Sequence, residues 1–224
     1  MVPLKIFENG SIHELNADDF SHGIIDLCEK HRAQNRALAF AFLMYDFCSP
    51  QIIKVLEDIY YWNALNLISG QWLSIYYIHS GEKKFAEDLT AASGGIERRG
   101  MHPITTKEPF SHVVPMLKRY LSLNDDVNLP SILFFQVEGG LISDYFLVEL
   151  SEEGMEKSFI ELKDYIKAAV ERLKMIAPEN LENSQPIFDS LKQGVESTKF
   201  RKVFFRNVQK FPVELLLSWL LGRQ

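Results

Sequence analysis

Residues 129–148 read LPSILFFQVEGGLISDYFLV, and this stretch decides the fold. Ser131–Val137 is a nearly unbroken apolar run of strand length that begins directly after Pro130. Such a run is typical of a strand that is buried on both faces of a sheet. The turn residues at 138–140, EGG, lead into a second strand-like run, Ile142–Val148. The stretch therefore predicts two neighbouring antiparallel strands.

Two more apolar runs lie upstream, on either side of a helical segment. The runs are Ala37–Tyr45 (ALAFAFLMY) and Gln71–His79 (QWLSIYYIH). Between them, Ser49 supplies a hydroxyl that can cap a helix, Pro50 suits the first helical position, and Gly70 marks the end. A strand, a helix and a second strand in this order predict a parallel pair joined by a right-handed crossover.

The remaining segments add helices on both faces of the predicted sheet. Helices are expected over about 82–92 and 109–122, separated by the irregular stretch Ile96–Thr106, and a long helix capped by Ser151 is expected to about residue 176. The fold class is therefore α/β, with a mixed four-stranded sheet flanked by helices. We expect three parts: a hairpin and helix at 1–36, the α/β domain at 37–176, and a helical extension at 185–224 that packs on the body.

Two segments of the α/β domain resemble the thioredoxin fold. Leu129-Pro130, ahead of the buried strand, is similar to the segment in which a cis-proline opens a thioredoxin strand. The run from Tyr45 to Gln51, YDFCSPQ, is similar to the thioredoxin active-site region, where a strand ends and a helix opens. The resemblance covers residues 37–176. It implies a thioredoxin-like sheet and a cis peptide bond between Leu129 and Pro130.

The cysteines depart from the thioredoxin pattern. A thioredoxin needs one thiol to attack and a second thiol to resolve the mixed disulfide. Gln51 stands at the resolving position, and Cys28 is expected to be buried on an earlier helix, so no dithiol cycle is predicted. Cys48 directly precedes a helix, whose partial positive charge favours a thiolate. Two interpretations stay open: Cys48 is a reactive monothiol, or it is a small apolar residue that fills space at the strand end.

Composition excludes several classes of protein. The chain has 224 residues, of which 46% are hydrophobic, so it can bury a core and is not expected to be disordered. Its longest apolar stretches fall well short of the ~20 residues that cross a bilayer, so no membrane partner is expected. The stretch MVPLKIFENG lacks the basic and apolar regions of a secretory signal, and two cysteines make no disulfide scaffold. A cytoplasmic location is therefore expected.

Charge and ligand spacing predict neither a nucleic-acid site nor a metal site. The net charge is −6, but residues 187–224 hold seven basic and three acidic residues. Apolar residues such as Phe204 are interleaved with these bases, which favours packing against the acidic body over binding an acidic partner, nucleic acid or a membrane. Cys28 and His31 have the spacing of two metal ligands, but no second pair accompanies them.

The sequence supports two hypotheses for function. The first is a binding or regulatory module without redox activity or cofactor, which engages a protein partner. Its predicted contact residues are those of the cis-proline edge and of a loop that follows a glycine pair: Asn128, Leu129, Pro130, Ser131, Arg98 and Arg99. The second hypothesis is an enzyme, either a monothiol thiol–disulfide oxidoreductase or a glutathione-dependent enzyme. In that case Cys48 is the catalytic thiol, and glutathione or another thiol resolves the mixed disulfide.

Overall fold

The computed structural model describes residues 28–46, 48–79, 100–105, 127–138 and 141–208, together with positions 115, 118 and 123. The predicted N-terminal hairpin, the predicted helix over 82–92 and residues 209–224 lie outside the described residues. Positions 115 and 118, which fall within the predicted helix over 109–122, are helical.

Five strands of the described chain form one mixed sheet in the order β3-β2-β1-β4-β5. They are β1 (Phe40–Met44), β2 (Ser74–His79), β3 (Met101–Thr105), β4 (Ser131–Glu138) and β5 (Leu141–Glu149). β1 pairs with β2 in parallel, and β4 pairs with β1 and with β5 in antiparallel fashion. The four predicted strands and their mixed sheet are thus confirmed.

The fifth strand, β3, corrects the prediction of an irregular stretch at Ile96–Thr106. β3 pairs in parallel with β2 and lies at one edge of the described sheet. It contains Pro103, which an edge strand tolerates because one side of the strand makes no ladder hydrogen bonds. Asn66, a buried residue, fixes the start of β3, since its Oδ1 accepts hydrogen bonds from the N–H groups of Gly100 at 3.2 Å and Met101 at 3.1 Å. A distant side chain, and not alternation along its own sequence, positions this strand.

Gly100 is expected to tolerate no side chain. A Cβ at this position would lie 1.8 Å from Oγ of Ser69 and 2.9 Å from the backbone nitrogen of Gly70. Gly100→Ala should therefore lower the free energy of unfolding by about 2 kcal/mol, the usual cost of overpacking. Gly154→Ala is the matched control, because a Cβ there meets nothing within 4 Å. Chemical denaturation measures both variants, and equal midpoints would contradict this account.

The single helix predicted from Ser49 to Gly70 is two helices, α1 (Pro50–Glu57) and α2 (Ile59–Ser69). Asp58 separates them. Its backbone is extended, and its Oδ1 accepts hydrogen bonds from the N–H groups of Tyr60 at 2.9 Å and Tyr61 at 3.1 Å. Asp58 therefore caps α2. Gly70 ends α2 with a φ of 50°, in the region that favours glycine, as predicted.

Helices lie on both faces of the sheet, as predicted. On one face, the indole Nε1 of Trp62 in α2 donates to the hydroxyl of Tyr77 in β2 at 2.6 Å. On the other face, the ring of His31, within the helical residues 28–33, lies 4.7 Å from the ring of Phe40 in β1. β1 is buried at every position between these two layers, which explains its unbroken apolar sequence.

A long helix, α3 (Met155–Leu173), follows β5. It begins after Gly154 and not at the predicted cap, Ser151. The carbonyl oxygen of Gly154 accepts a hydrogen bond from the N–H of Ser158 at 2.9 Å, while Oγ of Ser151 accepts one from the N–H of Glu153 at 3.2 Å in the loop that precedes the helix. A 3-10 helix (Pro178–Asn180) then leads to a second long helix, α4 (Ser184–Val208).

The described part of α4 packs on α3 and on the sheet. Gly194 allows close approach to α3, because a Cβ there would lie 2.7 Å from the carbonyl oxygen of Ala168. The ring of Phe188 in α4 lies 5.5 Å from the ring of Phe146 in β5. The apolar side chains that α4 buries are Ile187, Phe188, Leu191 and Val195. The helical extension therefore contacts the body, while the division of the chain into three parts stays a prediction.

Candidate functional site

The ends of two neighbouring strands bring the predicted site residues together. Met44, the last residue of β1, stands opposite Ser131, the first residue of β4. The chain that leaves β1 and the chain that enters β4 therefore meet at the same end of the sheet. The peptide bond between Leu129 and Pro130 is cis, as predicted. Cys48 and Pro130 thus belong to one corner of the protein, which we call the proline corner (residues 45, 46, 48–52, 128–131 and 150–152).

Cys48 is exposed in a tight turn between β1 and α1. Oδ1 of Asp46 accepts hydrogen bonds from the N–H of Cys48 at 2.9 Å and from the hydroxyl of Ser49 at 3.0 Å. The N–H of Ser49 also donates to the carbonyl oxygen of Asp46 at 3.1 Å. Because its hydroxyl is engaged with Asp46, Ser49 makes no side-chain bond to the helix, and the predicted hydroxyl cap is wrong.

Glu152 caps α1 in place of Ser49. Its Oε2 accepts a hydrogen bond from the N–H of Gln51 at 2.9 Å, and its Oε1 accepts one from the N–H of Ile52 at 3.1 Å. Glu152 comes from the loop between β5 and α3, which is held by a bond of 2.7 Å from the N–H of Ser151 to Oε2 of Glu161. A carboxylate therefore sits where the backbone N–H groups and the dipole of α1 attract an anion.

This cap changes the chemistry open to Cys48. A cysteine ahead of a helix becomes a good nucleophile when the first N–H groups of the helix stabilise its thiolate. Here Glu152 takes two of those N–H groups, and Asp46 takes the N–H of Cys48 itself. Both groups are carboxylates, so the first N–H groups of the helix are already engaged and are not open to a thiolate at Cys48.

Removing the charge of Glu152 is expected to make Cys48 more reactive. In Glu152→Gln the amide oxygen still accepts one hydrogen bond from α1, but the second N–H group is released and the negative charge at the start of the helix is removed. We expect alkylation of Cys48 by iodoacetamide at pH 7 to speed up about threefold, and the free energy of unfolding to fall by about 1 kcal/mol. Glu153→Gln is the control, because Glu153 is exposed and pairs with Lys157. Equal alkylation rates in the two variants would contradict the role given to Glu152.

The residues predicted to bind a partner differ in how much surface they present. Asn128 is exposed, and its Nδ2 donates to Oε1 of Glu149 at 3.0 Å. Leu129 is half-buried. Pro130 and Ser131 are buried, the hydroxyl of Ser131 donates to the carbonyl oxygen of Asn128, and the carbonyl oxygen of Pro130 accepts from the N–H of Leu150 at 2.8 Å. Arg98 and Arg99 lie outside the described residues.

A second polar cluster, which the sequence does not predict, is buried against β1 and β2. Nδ1 of His31 donates to the carbonyl oxygen of Ala37 at 2.7 Å, because a carbonyl can only accept. Nε2 of His31 lies 3.0 Å from Oγ of Ser74, and Nη2 of Arg36 donates to the same Oγ at 2.9 Å. The Ser74 hydroxyl therefore donates to a neutral imidazole. Since His31 and Ser74 are buried, we assign this cluster to structure and not to catalysis.

Burial in and beside this cluster shifts the pKa values of His31 and Cys28. Burial, assisted by the charge of Arg36, lowers the pKa of His31 to about 4. Burial also raises the pKa of the Cys28 thiol, against the opposing charge of Arg32. Cys28 is buried, as predicted, so it is poorly placed to resolve a disulfide at Cys48.

Within the described ranges, no group of three or more His, Cys, Asp or Glu side chains is arranged to hold a metal ion. Of the helices that the structure describes, none combines the length and the apolar composition that crossing a bilayer requires. Comparisons of the chain with known protein families, with curated proteins and with solved structures find no match.

Proposed function

We propose that this protein is a thioredoxin-like module that binds a protein partner and runs no thiol redox cycle. Three features support the thioredoxin-like part. The strands β2, β1, β4 and β5 lie in that order, with β4 antiparallel to both of its neighbours. A helix opens directly after β1, and another follows β5. A cis-proline precedes β4.

The cap on α1 by Glu152 is the observation that carries the non-redox part. A redox thioredoxin uses the start of this helix to stabilise a thiolate, whereas here a carboxylate accepts its N–H groups at 2.9 and 3.1 Å. Gln51 at the resolving position and the burial of Cys28 support the same conclusion. Attack by Cys48 would stop at a mixed disulfide unless an external thiol released it.

The proline corner is the proposed partner-binding surface. Asn128 is exposed and Leu129 is half-buried beside the cis peptide bond, so this segment offers side-chain surface to a partner. In the thioredoxin fold that this corner resembles, the backbone before the cis-proline pairs with an extended peptide. A partner with an extended, partly apolar segment fits this surface best.

Exposure of Cys48 favours one alternative, a monothiol oxidoreductase or a glutathione-dependent enzyme. The two functions differ in what holds the partner. A binding module holds it by non-covalent contacts, while an oxidoreductase holds it through a disulfide at Cys48.

Site-specific photo-crosslinking in cells separates these functions. A photoreactive residue at Asn128 should give one discrete crosslinked protein, and the same residue at the exposed Glu156 on α3 should not. The adduct should persist in the Cys48→Ser protein and under reducing conditions. Absence of any adduct at Asn128 would overturn the binding surface. An adduct that requires Cys48 would favour the enzyme.

A further inference from the structure

The outward backbone groups of the edge strand β5 follow from its pairing with β4. The N–H of Leu150 donates to the carbonyl oxygen of Pro130 at 2.8 Å, so these two positions form a hydrogen-bonded pair. Hydrogen-bonded and non-hydrogen-bonded pairs alternate along antiparallel strands. In the observed register, Tyr145, Leu147 and Glu149 are then the non-hydrogen-bonded positions. Their N–H and C=O groups point away from β4, toward the outer edge of the described sheet.

These groups match the same groups of a second copy of the chain. An antiparallel arrangement centred on Leu147 places Tyr145 of each copy opposite Glu149 of the other. The three residue pairs would exchange about six backbone hydrogen bonds. No like charges face each other in this register, because Glu149 lies opposite a tyrosine. An edge of this kind is a template for association between chains.

Asp144 blocks one of the three β5 positions, Tyr145, from pairing with a second copy. Its Oδ1 accepts a hydrogen bond from the N–H of Tyr145 at 2.7 Å, so an outward donor is already engaged. Asp144 is exposed, and its carboxylate adds a charge to the edge. In the paired arrangement each copy needs the N–H of its Tyr145, so two of the hydrogen bonds would be lost.

A β-bulge protects the adjoining stretch of the same strand. Gln136 stands opposite Asp144, but Val137 stands opposite Ile142, so Ser143 is an extra residue in β5. Bulges bend and twist an edge strand and interrupt its pairing pattern. The bulge and the carboxylate lie side by side, and both act against pairing along the first half of β5.

We propose that Asp144 prevents β5 from pairing with β5 of a second copy of this chain. The carboxylate does so by occupying the Tyr145 N–H and by placing a charge at the edge. The rest of the edge, Leu147 to Glu149, which pairs with no further strand among the described residues, is too short to hold two copies together without that N–H. This role concerns association between chains and does not depend on how Cys48 or the proline corner functions.

Sedimentation velocity over a range of concentrations tests the proposal with Asp144→Ala and with Glu156→Ala as the control, because Glu156 is an exposed carboxylate on α3 and not on β5. We expect Asp144→Ala to form an assembly of twice the wild-type mass, with a dissociation constant at least about tenfold lower than that of the wild type or the control. Asp144 is exposed, so the variant should fold; far-ultraviolet circular dichroism checks this.

Amide hydrogen exchange then locates the contact. In Asp144→Ala, exchange at Leu147 and Glu149 should slow as the protein concentration rises, because their outward N–H groups enter the new pairing. Association no stronger than that of Glu156→Ala would overturn the proposal. Stronger association without slower exchange at these two amides would also overturn it, since another surface would then carry the contact.

Discussion

Replacing Leu191 by Ala is expected to lower the free energy of unfolding by about 3 kcal/mol. Leu191 lies in α4 where that helix packs on α3, and 0% of its surface is exposed. The two helices already approach closely at Gly194, so they cannot move together to fill the cavity that the alanine leaves. Phe200→Ala on the same helix is the control. The Phe200 side chain is 74% exposed, so its loss should change stability by less than about 0.5 kcal/mol.

Deleting residues 185–224 is expected to destabilise the protein more than the single substitution does. The deletion removes the four apolar side chains that residues 184–200 of α4 bury and uncovers the face of α3 beneath them. Fully burying each such side chain contributes roughly 1.5–3 kcal/mol, so the loss is comparable to the stability of a whole domain. We expect the truncated protein to be unfolded or insoluble. A truncated chain that stays soluble and as stable as the full chain would show that α4 is dispensable to the fold.

Acid is expected to destabilise the protein through His31. The pKa of this buried imidazole is lowered to about 4, whereas an unfolded histidine titrates near 6.5. The unfolded chain therefore binds the proton first, and the contribution of His31 to stability is complete above pH 6.5 and is lost as the pH falls through 4. The loss over this window is about 3 kcal/mol.

Denaturant unfolding at pH 7.0 and at pH 4.0 measures this loss, with His31→Asn as the comparison. The asparagine amide can still donate to the carbonyl oxygen of Ala37, but it does not titrate. Wild-type protein should lose about 3 kcal/mol more than the variant between the two pH values. Parallel losses in the two proteins would mean that other groups set the acid sensitivity.

The parts of the fold that sequence predicts are those determined by local patterns. Apolar runs predict β1, β2 and β4 because a strand buried on both faces must be apolar throughout, as β1 is. β5 is predicted from the turn residues that precede it. β3 is missed because its position depends on Asn66, more than thirty residues earlier in the chain. The break between α1 and α2 has a local signal, Asp58, but it lies inside a run whose composition otherwise favours one helix.

The candidate site likewise combines residues that local sequence predicts with a residue that only the tertiary fold brings in. The chain order places Cys48 ahead of a helix and Pro130 ahead of a strand, and the structure brings both to one corner. Glu152 has no such local signal, because it is about a hundred residues away from the N–H groups that it caps. Its neighbour Ser151 is of the residue type that caps helices and is predicted to cap α3, but α3 begins after Gly154. Only the tertiary fold reveals the carboxylate that caps the helix after Cys48.

A disulfide exchange assay with and without glutathione tests the central proposal, that this chain is a thioredoxin-like module without a thiol cycle. The substrates are a reducible protein disulfide with a dithiol reductant and a peptide–glutathione mixed disulfide with reduced glutathione. We predict turnover no faster than the uncatalysed reaction in both cases, with the wild type and Cys48→Ser indistinguishable. Turnover that requires glutathione and disappears in Cys48→Ser would contradict the account and establish Cys48 as a catalytic thiol.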